Sequence, residues 1–232
     1  MHEETILSRF LTSFDLIIFD LDGVIIDSNH LKIACMRDAL GDFNRDVVES
    51  YLQDFSKNFG QPRLFHFKNL YYNTLGRDGD FDAFYQCYAS RYAALLDERY
   101  CNAALCEHAD DAITLLAESD LKLFVATGTN TNEAEKVLKH KQLHHYFEGI
   151  YGSPREKVNI ISTLLTQQPI LKEKVLFIGD AAHDALCAQE NQIPFLFVEH
   201  YALIELQALR KQVSTPFYSI KSLYLNNETH IN

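Results

Sequence analysis

The sequence predicts an α/β fold, a doubly wound parallel sheet interrupted by an α-helical insertion. Short apolar β-branched runs recur along the chain, helix-like stretches separate them, and one long segment near the N-terminus is helical throughout. Leu16-Ile-Ile-Phe19, Leu121-Lys-Leu-Phe-Val-Ala126, Val175-Leu-Phe-Ile178 and Phe195-Leu-Phe-Val198 read as strands covered on both faces, which are continuously hydrophobic rather than alternating. A shorter strand is expected over Gly149 to Gly152. Helical patterns over Ala109 to Ser119, Thr131 to Lys141 and Lys157 to Thr166 supply the crossovers between parallel strands.

Residues 29–101 break this rhythm. Amphipathic patterns at Leu31 to Leu40, Val47 to Phe59 and Phe81 to Leu96 contain no strand, and Gly41, Gly60-Gln-Pro62 and Gly76-Arg-Asp-Gly79 punctuate them as turns. The organisation expected is a core of residues 1–28 and 102–232 with a helical domain, residues 29–101, inserted after the first strand. Phe65, Phe67, Tyr71 and Tyr72 are expected in the core of that bundle.

A chain of 232 residues, 47% hydrophobic and 23% charged, has ordinary globular composition. Its net charge of −11 opposes nucleic acid and anionic membranes, so an anionic substrate needs a metal ion or individual Lys and Arg residues. The 5 cysteines are odd in number and contain no C-x-x-C pair, which fits free thiols in a reducing cytoplasm. Cys187 is expected against the sheet. The acidic start, Met-His-Glu-Glu-Thr, does not read as a signal peptide, and no apolar run reaches membrane-span length. A soluble cytoplasmic protein, monomer or homodimer, is expected.

Polar residues cluster where the strands end, and in open α/β sheets ligands bind at those carboxyl ends. Asp20 and Asp22 follow the first strand, two residues apart, so in extended chain both carboxylates can face one site. A divalent cation keeps two such acids ionised, and Mg2+ suits them because it prefers oxygen ligands. Asp22-Gly23 is also a turn signal in its own right. An EF-hand is excluded, since Gly23 stands fourth and Leu31 twelfth from Asp20. Thr127-Gly128-Thr129 precedes a helix-like stretch, where a hydroxyl and backbone N–H groups can form an anion cradle or merely a helix cap. Gly179-Asp180-Ala-Ala-His-Asp184 places one acid at a helix mouth and another about a turn in, near enough to share a metal; Asp180 is equally suited to capping that helix.

Phe19-Asp-Leu-Asp-Gly-Val-Ile-Ile-Asp-Ser28 closely resembles the first motif of the haloacid dehalogenase superfamily. The resemblance implies that Asp20 is the nucleophile and Asp22 the general acid and base, with Mg2+ held by Asp20 and the backbone carbonyl of Asp22. It further implies that Thr127 and Gly128 bind phosphate, that Lys157 neutralises nucleophile and phosphate with Arg155 as its alternative, and that Asp180 and Asp184 complete the metal site. An acid at the position of Asp22 marks phosphatases and phosphomutases and disfavours carbon–halogen cleavage. The inserted helices stand where that family carries a cap, from which Arg63 is a candidate substrate contact. The function expected is a Mg2+-dependent phosphatase of a small phosphate monoester. A sugar phosphomutase is the alternative, and a non-catalytic module on the same fold the remaining reading. His183 and the pair His144-His145 are not needed for this chemistry.

Overall fold

The structure is a computed structural model and describes residues 6–213 and 217–224. Helix α1 (Ile6–Leu11) leads to β1 (Leu16–Phe19), and β2 (Ile26–Asp27) follows the turn after β1. The helical segment comprises α2 (Asn29–Ala39), α3 (Arg45–Lys57), α4 (Arg63–Lys68) and α5 (Phe81–Arg99), with a π-helical turn over Asn69–Thr74 continuing α4. The chain then runs β3 (Ala104–Leu105), α6 (Ala109–Ala117), β4 (Lys122–Asn130), α7 (Thr131–His140), β5 (Gly149–Ser153), α8 (Lys157–Gln167), β6 (Val175–Gly179), α9 (Ala182–Asn191), β7 (Phe195–Val198), α10 (Leu206–Leu209) and β8 (Tyr218–Ile220).

Six strands form one sheet in the order β5-β4-β1-β6-β7-β8, and every pairing in it is parallel. Side chains alternate across a strand, so a sheet covered on both faces needs both sets apolar. Ile17, Phe19, Leu123, Val125, Leu176 and Ile178 pack into one core with α6, α7 and the helical segment. Their alternates Leu16, Ile18, Phe124, Val175 and Phe177 pack into a second core with residues of α8 and α9. This arrangement produces the unbroken apolar runs of the sequence, and the doubly wound α/β fold stands as expected.

Beyond the strands legible in the sequence, β8 extends the sheet, and β2 and β3 form a two-residue antiparallel ribbon, Ile26 opposite Leu105 and Asp27 opposite Ala104. That ribbon joins the two chain crossings that bound the helical segment. Helix α3 starts where the Asn44 side chain accepts from the Asp46 N–H, and α5 where Asp80 accepts from Ala83 N–H. Of the four aromatics expected in the bundle core, Phe67 and Tyr71 are buried, whereas Phe65 and Tyr72 are exposed. Residues two apart lie on different sides of a helix, and so do adjacent ones, so burying Phe67 and Tyr71 turns the other pair outward. Cys187 is buried against the sheet. Among the described residues, no helix is long and apolar enough to cross a membrane.

Candidate active site

The carboxyl ends of β1, β4 and β6 meet under the helical segment and form, with it, a pocket of about 550 Å³ that is partly open to solvent. Asp20, Asp22, Thr127, Gly128, Thr129 and Asp180 line its floor. Asp20 follows β1 directly, its N–H donating to the Ile178 carbonyl at 2.8 Å, so the strand pairing itself fixes the carboxylate. Gly23, at φ 76°, turns the chain back after Asp22, and a Cβ there would collide with the Asp180 carboxylate.

Lys157 opens α8 and lies buried with its Nζ 3.0 Å from Asp20 Oδ1 and ion-paired to Asp184 Oδ1. The two carboxylates drive its pKa upward despite burial, so it stays charged. Asp184 Oδ2 accepts from the Asp180 and Ala181 N–H groups at 3.2 and 3.1 Å, which ties Asp184 to the start of α9. Ala181, not Asp180, stands at the cap position, and Asp184 reaches back to the N–H groups that precede the helix. Asp180 is thereby free of a capping role and accepts instead from Asn29 Nδ2 at 2.7 Å.

The region of Thr127 also differs from expectation. Strand β4 continues through Asn130 with a register shift against β5 between Ala126 and Asn130, and Asn130 caps α7 by accepting from Asn132 N–H at 2.9 Å. Two β-branched threonines extend the strand, so the Thr127 to Thr129 stretch is extended backbone lining the cavity, not a helix N-terminus. Thr127 Oγ1 accepts from the Thr129 N–H at 3.1 Å. At Gly128 the overlying segment comes so close that a Cβ would stand 2.5 Å from the Gly60 carbonyl oxygen and 2.9 Å from that of Gln61.

Asp20, Asp180 and Asp184 each present an oxygen within 4.8 Å of the others, all three buried. Burial, then repulsion from Asp184, raises the Asp20 pKa to about 7 even with Lys157 adjacent. Burial and the same neighbours push Asp180 well up. Asp20 Oδ1 has no hydrogen-bond donor in good geometry, although the Lys157 ammonium is at ion-pair distance, and Asn29 Oδ1 also has none. Clustered acids with unsatisfied buried oxygens fit a hard divalent cation of the Mg2+ kind. The Asp22 side chain stands outside this cluster, which leaves its backbone carbonyl as the group the sequence resemblance assigned to metal.

Asp22 has the opposite electrostatics. Its Oδ1 accepts from Ser28 Oγ at 2.5 Å and Tyr100 Oη at 2.6 Å; its Oδ2 accepts from Thr129 Oγ1 at 2.7 Å and from Lys32 Nζ. Burial pushes its pKa up, but Lys32 and the other donors more than offset this and hold it below the ordinary carboxylate range. Sequence reasoning passed over Ser28, Asn29, Lys32 and Tyr100. Lys32 carried a signal: it interrupts the buried stripe Asn29, Cys35, Met36 and Ala39 of an otherwise amphipathic helix. Tyr100 carried none, being 78 residues from its partner.

Arg63 reaches the cavity wall, but its guanidinium bonds both carboxylate oxygens of Glu133 on α7, at 2.7 and 2.6 Å, and lies over the Tyr92 ring. His183 faces Cys187 at 3.5 Å outside the cavity, and burial lowers its pKa to about 4. His144 and His145 occupy a 3₁₀ turn, away from the cavity lining.

Residues 17–198 match the model of the haloacid dehalogenase-like hydrolases. The chain is 25% identical over 174 residues to the tyrosine-protein kinase PtkA of Mycobacterium tuberculosis, covering 73% of this chain and 56% of that protein, so it spans little more than half of that relative. It is 27% identical over 205 residues to the phosphoglycolate phosphatase of Rhodobacter capsulatus, covering 83% of this chain and 88% of that one. A haloacid dehalogenase-like hydrolase of Streptococcus pneumoniae is similar in structure, with a TM-score of 0.66 and 25% identity over 90% of this chain and 94% of that one. The family match spans β1 to β7 and includes every strand end that carries an acid, and the chain belongs to the haloacid dehalogenase-like hydrolases.

Proposed function

We propose that the chain is a Mg2+-dependent phosphomonoesterase acting on small soluble phosphate esters through an aspartyl phosphate on Asp20. The observation that carries this is that Asp20, Asp22 and Asp180 line one pocket, with the buried Lys157 ammonium 3.0 Å behind the Asp20 carboxylate. The relative named phosphoglycolate phosphatase aligns over most of both chains and supports the reading.

In this mechanism Asp20 attacks phosphorus, the bond from phosphorus to the ester oxygen breaks, and Asp22, ionised in the resting protein, takes up a proton from solvent as the ester binds and passes it to the leaving oxygen. Asp22 then takes a proton from water as that water attacks the aspartyl phosphate and frees Asp20. Three of the four donors on Asp22 are hydroxyls. Each can turn its hydrogen away and accept instead, so Asp22 can gain or lose a proton without moving heavy atoms. Thr127 and Gly128 cradle the phosphoryl oxygens, and Lys157 offsets their charge. Asp184, with both oxygens already bonded, positions Lys157. Asp20, Asp180 and the Asp22 backbone carbonyl would hold Mg2+, which when bound neutralises carboxylates and phosphate together.

Residues 29–101 act as a cap that excludes water from the intermediate. All five cysteines are free thiols, which supports a cytoplasmic setting. Incubation of the protein and Mg2+ with a panel of phosphate esters tests the reading. Release of inorganic phosphate is expected; an isomerised sugar phosphate without release would assign a phosphomutase instead, and no turnover of any ester would defeat both.

A further inference from the structure

Helices of residues 29–101 supply the roof of the cavity, and its composition bears on what the phosphate is attached to. Met36, Phe55, Phe59, Tyr92 and Leu96 form an apolar wall, each of them buried. The cations and the single imidazole that reach the cavity from this side are Lys32, Arg63 and His66. Lys32 is bonded to Asp22 and to Thr129, at one-tenth side-chain exposure. Arg63 holds Glu133 through both carboxylate oxygens. His66 sits against the Phe55 ring at 4.5 Å, and burial together with Lys32 lowers its pKa to about 3, so it is neutral. On the floor, the cations that balance Asp20 and Asp180, which are Lys157 and the Mg2+ these acids would hold, are committed to the nucleophile and the transferring phosphate.

A leaving group bearing its own carboxylate or second phosphate would enter this space against an apolar wall. No roof cation is free to meet it. Recruiting Arg63 would strip Glu133 of its partner, and recruiting Lys32 would strip the proposed acid and base of its cation. An anion desolvated without a partner is strongly disfavoured, and breaking the buried Lys32–Asp22 pair or the bidentate, mostly covered Arg63–Glu133 pair to provide one is disfavoured in turn.

We propose that the site selects phosphate monoesters whose leaving group is uncharged and partly apolar, and discriminates against esters carrying a second anionic group, because both roof cations are committed to core carboxylates. The inference rests on the phosphomonoesterase reading above and adds the substrate class.

The test compares benzyl phosphate and propyl phosphate with phosphoglycolate, using the full chain and Mg2+. All three release an alkyl alcohol, so the bond chemistry is matched and the leaving-group charge is the variable. The kcat/KM for benzyl phosphate is expected to exceed that for phosphoglycolate by roughly tenfold or more, the equivalent of one buried polar group left without a partner. Equal or better turnover of phosphoglycolate would overturn the inference and leave the phosphatase reading standing. No turnover of any of the three would defeat both.

Two variants locate the cause. Glu133→Gln releases Arg63 and is expected to shift the ratio toward phosphoglycolate by roughly fivefold, as a freed cation meets its carboxylate. Arg63→Met is expected to leave the ratio unchanged, since the guanidinium is already engaged. A selective loss of phosphoglycolate turnover in Arg63→Met would show that Arg63 already serves the substrate, and would overturn the proposal even if Glu133→Gln failed to fold.

Discussion

The floor and the roof of the cavity are built on opposite electrostatic plans. On the floor, Asp20, Asp180 and Asp184 face one another with Lys157 as the one ammonium among them, and the Asp20 pKa stands near 7. On the roof, each cation has a carboxylate, and the remaining wall is apolar. An excess of buried negative charge is tolerated only where something from outside completes it, whereas a balanced pair is complete in itself. The difference teaches where the protein expects a cation, on the floor, and where it expects none.

The largest test of that division is Asp20→Asn. It removes the proposed nucleophile and should lower phosphate release by roughly 10⁴-fold or more while the fold is kept, as judged by circular dichroism. Substantial residual turnover would place the chemistry elsewhere on the floor.

Lys32→Met breaks the balance of the roof by leaving Asp22 buried without its cation. A destabilisation of about 3 kcal/mol in urea unfolding is expected, together with a fall in kcat. A change within about 0.5 kcal/mol would mean that the hydroxyls alone hold Asp22.

A third test sharpens the floor. Asp20 has its pKa raised from 3.8 to about 7, so in metal-free protein its contribution to stability is full below its unfolded pKa and lost as pH climbs through about 7. Asp22 has its pKa lowered and contributes in the opposite sense, at the acid end. A bound cation removes the penalty on ionised Asp20, so the rise in Tm on adding Mg2+ should grow between about pH 5 and about pH 7.5. A rise that is flat across this window would argue that the acids do not hold the ion.

The smallest effect belongs to Glu133→Gln on stability. The Arg63–Glu133 pair is bidentate and mostly covered, its side chains 17% and 22% exposed, so partial screening leaves a loss of about 1 to 2 kcal/mol in the same unfolding assay, less than for the deeper Lys32–Asp22 pair.

The sequence made the floor legible and left the roof obscure. The runs at Leu16, Val175 and Phe195 announced strands because a sheet buried on both faces tolerates no polar interruption, and the acids ending the first two pointed to the ligand edge. Asp20, Asp180 and Asp184 accordingly meet at that edge, and Lys157, which only the family resemblance singled out, joins them there. Roof contacts are set by packing between residues far apart in the chain: Arg63 and Glu133 are 70 residues apart, and Lys32 and Thr129 are 97 apart. No local pattern encodes such pairs. The extension of β4 through Thr129 and the capping of α9 by Asp184 were missed for a different reason. Thr-Gly-Thr and Gly-Asp suit a strand end, a turn or a helix cap alike, and tertiary context decides among them.

The two-residue ribbon of β2 and β3 has a mechanical consequence. The chain enters and leaves the helical segment through this stitched point, so any rotation of the segment against the sheet would pivot there. Displacement in such a swing grows with distance from the pivot. Lys32 follows the ribbon by one turn of α2, while Gly60 and Arg63 lie beyond the next helix. In such a rotation Lys32, one turn from the ribbon, would keep its hold on Asp22 longer than Gly60 and Arg63 keep theirs on Gly128 and Glu133.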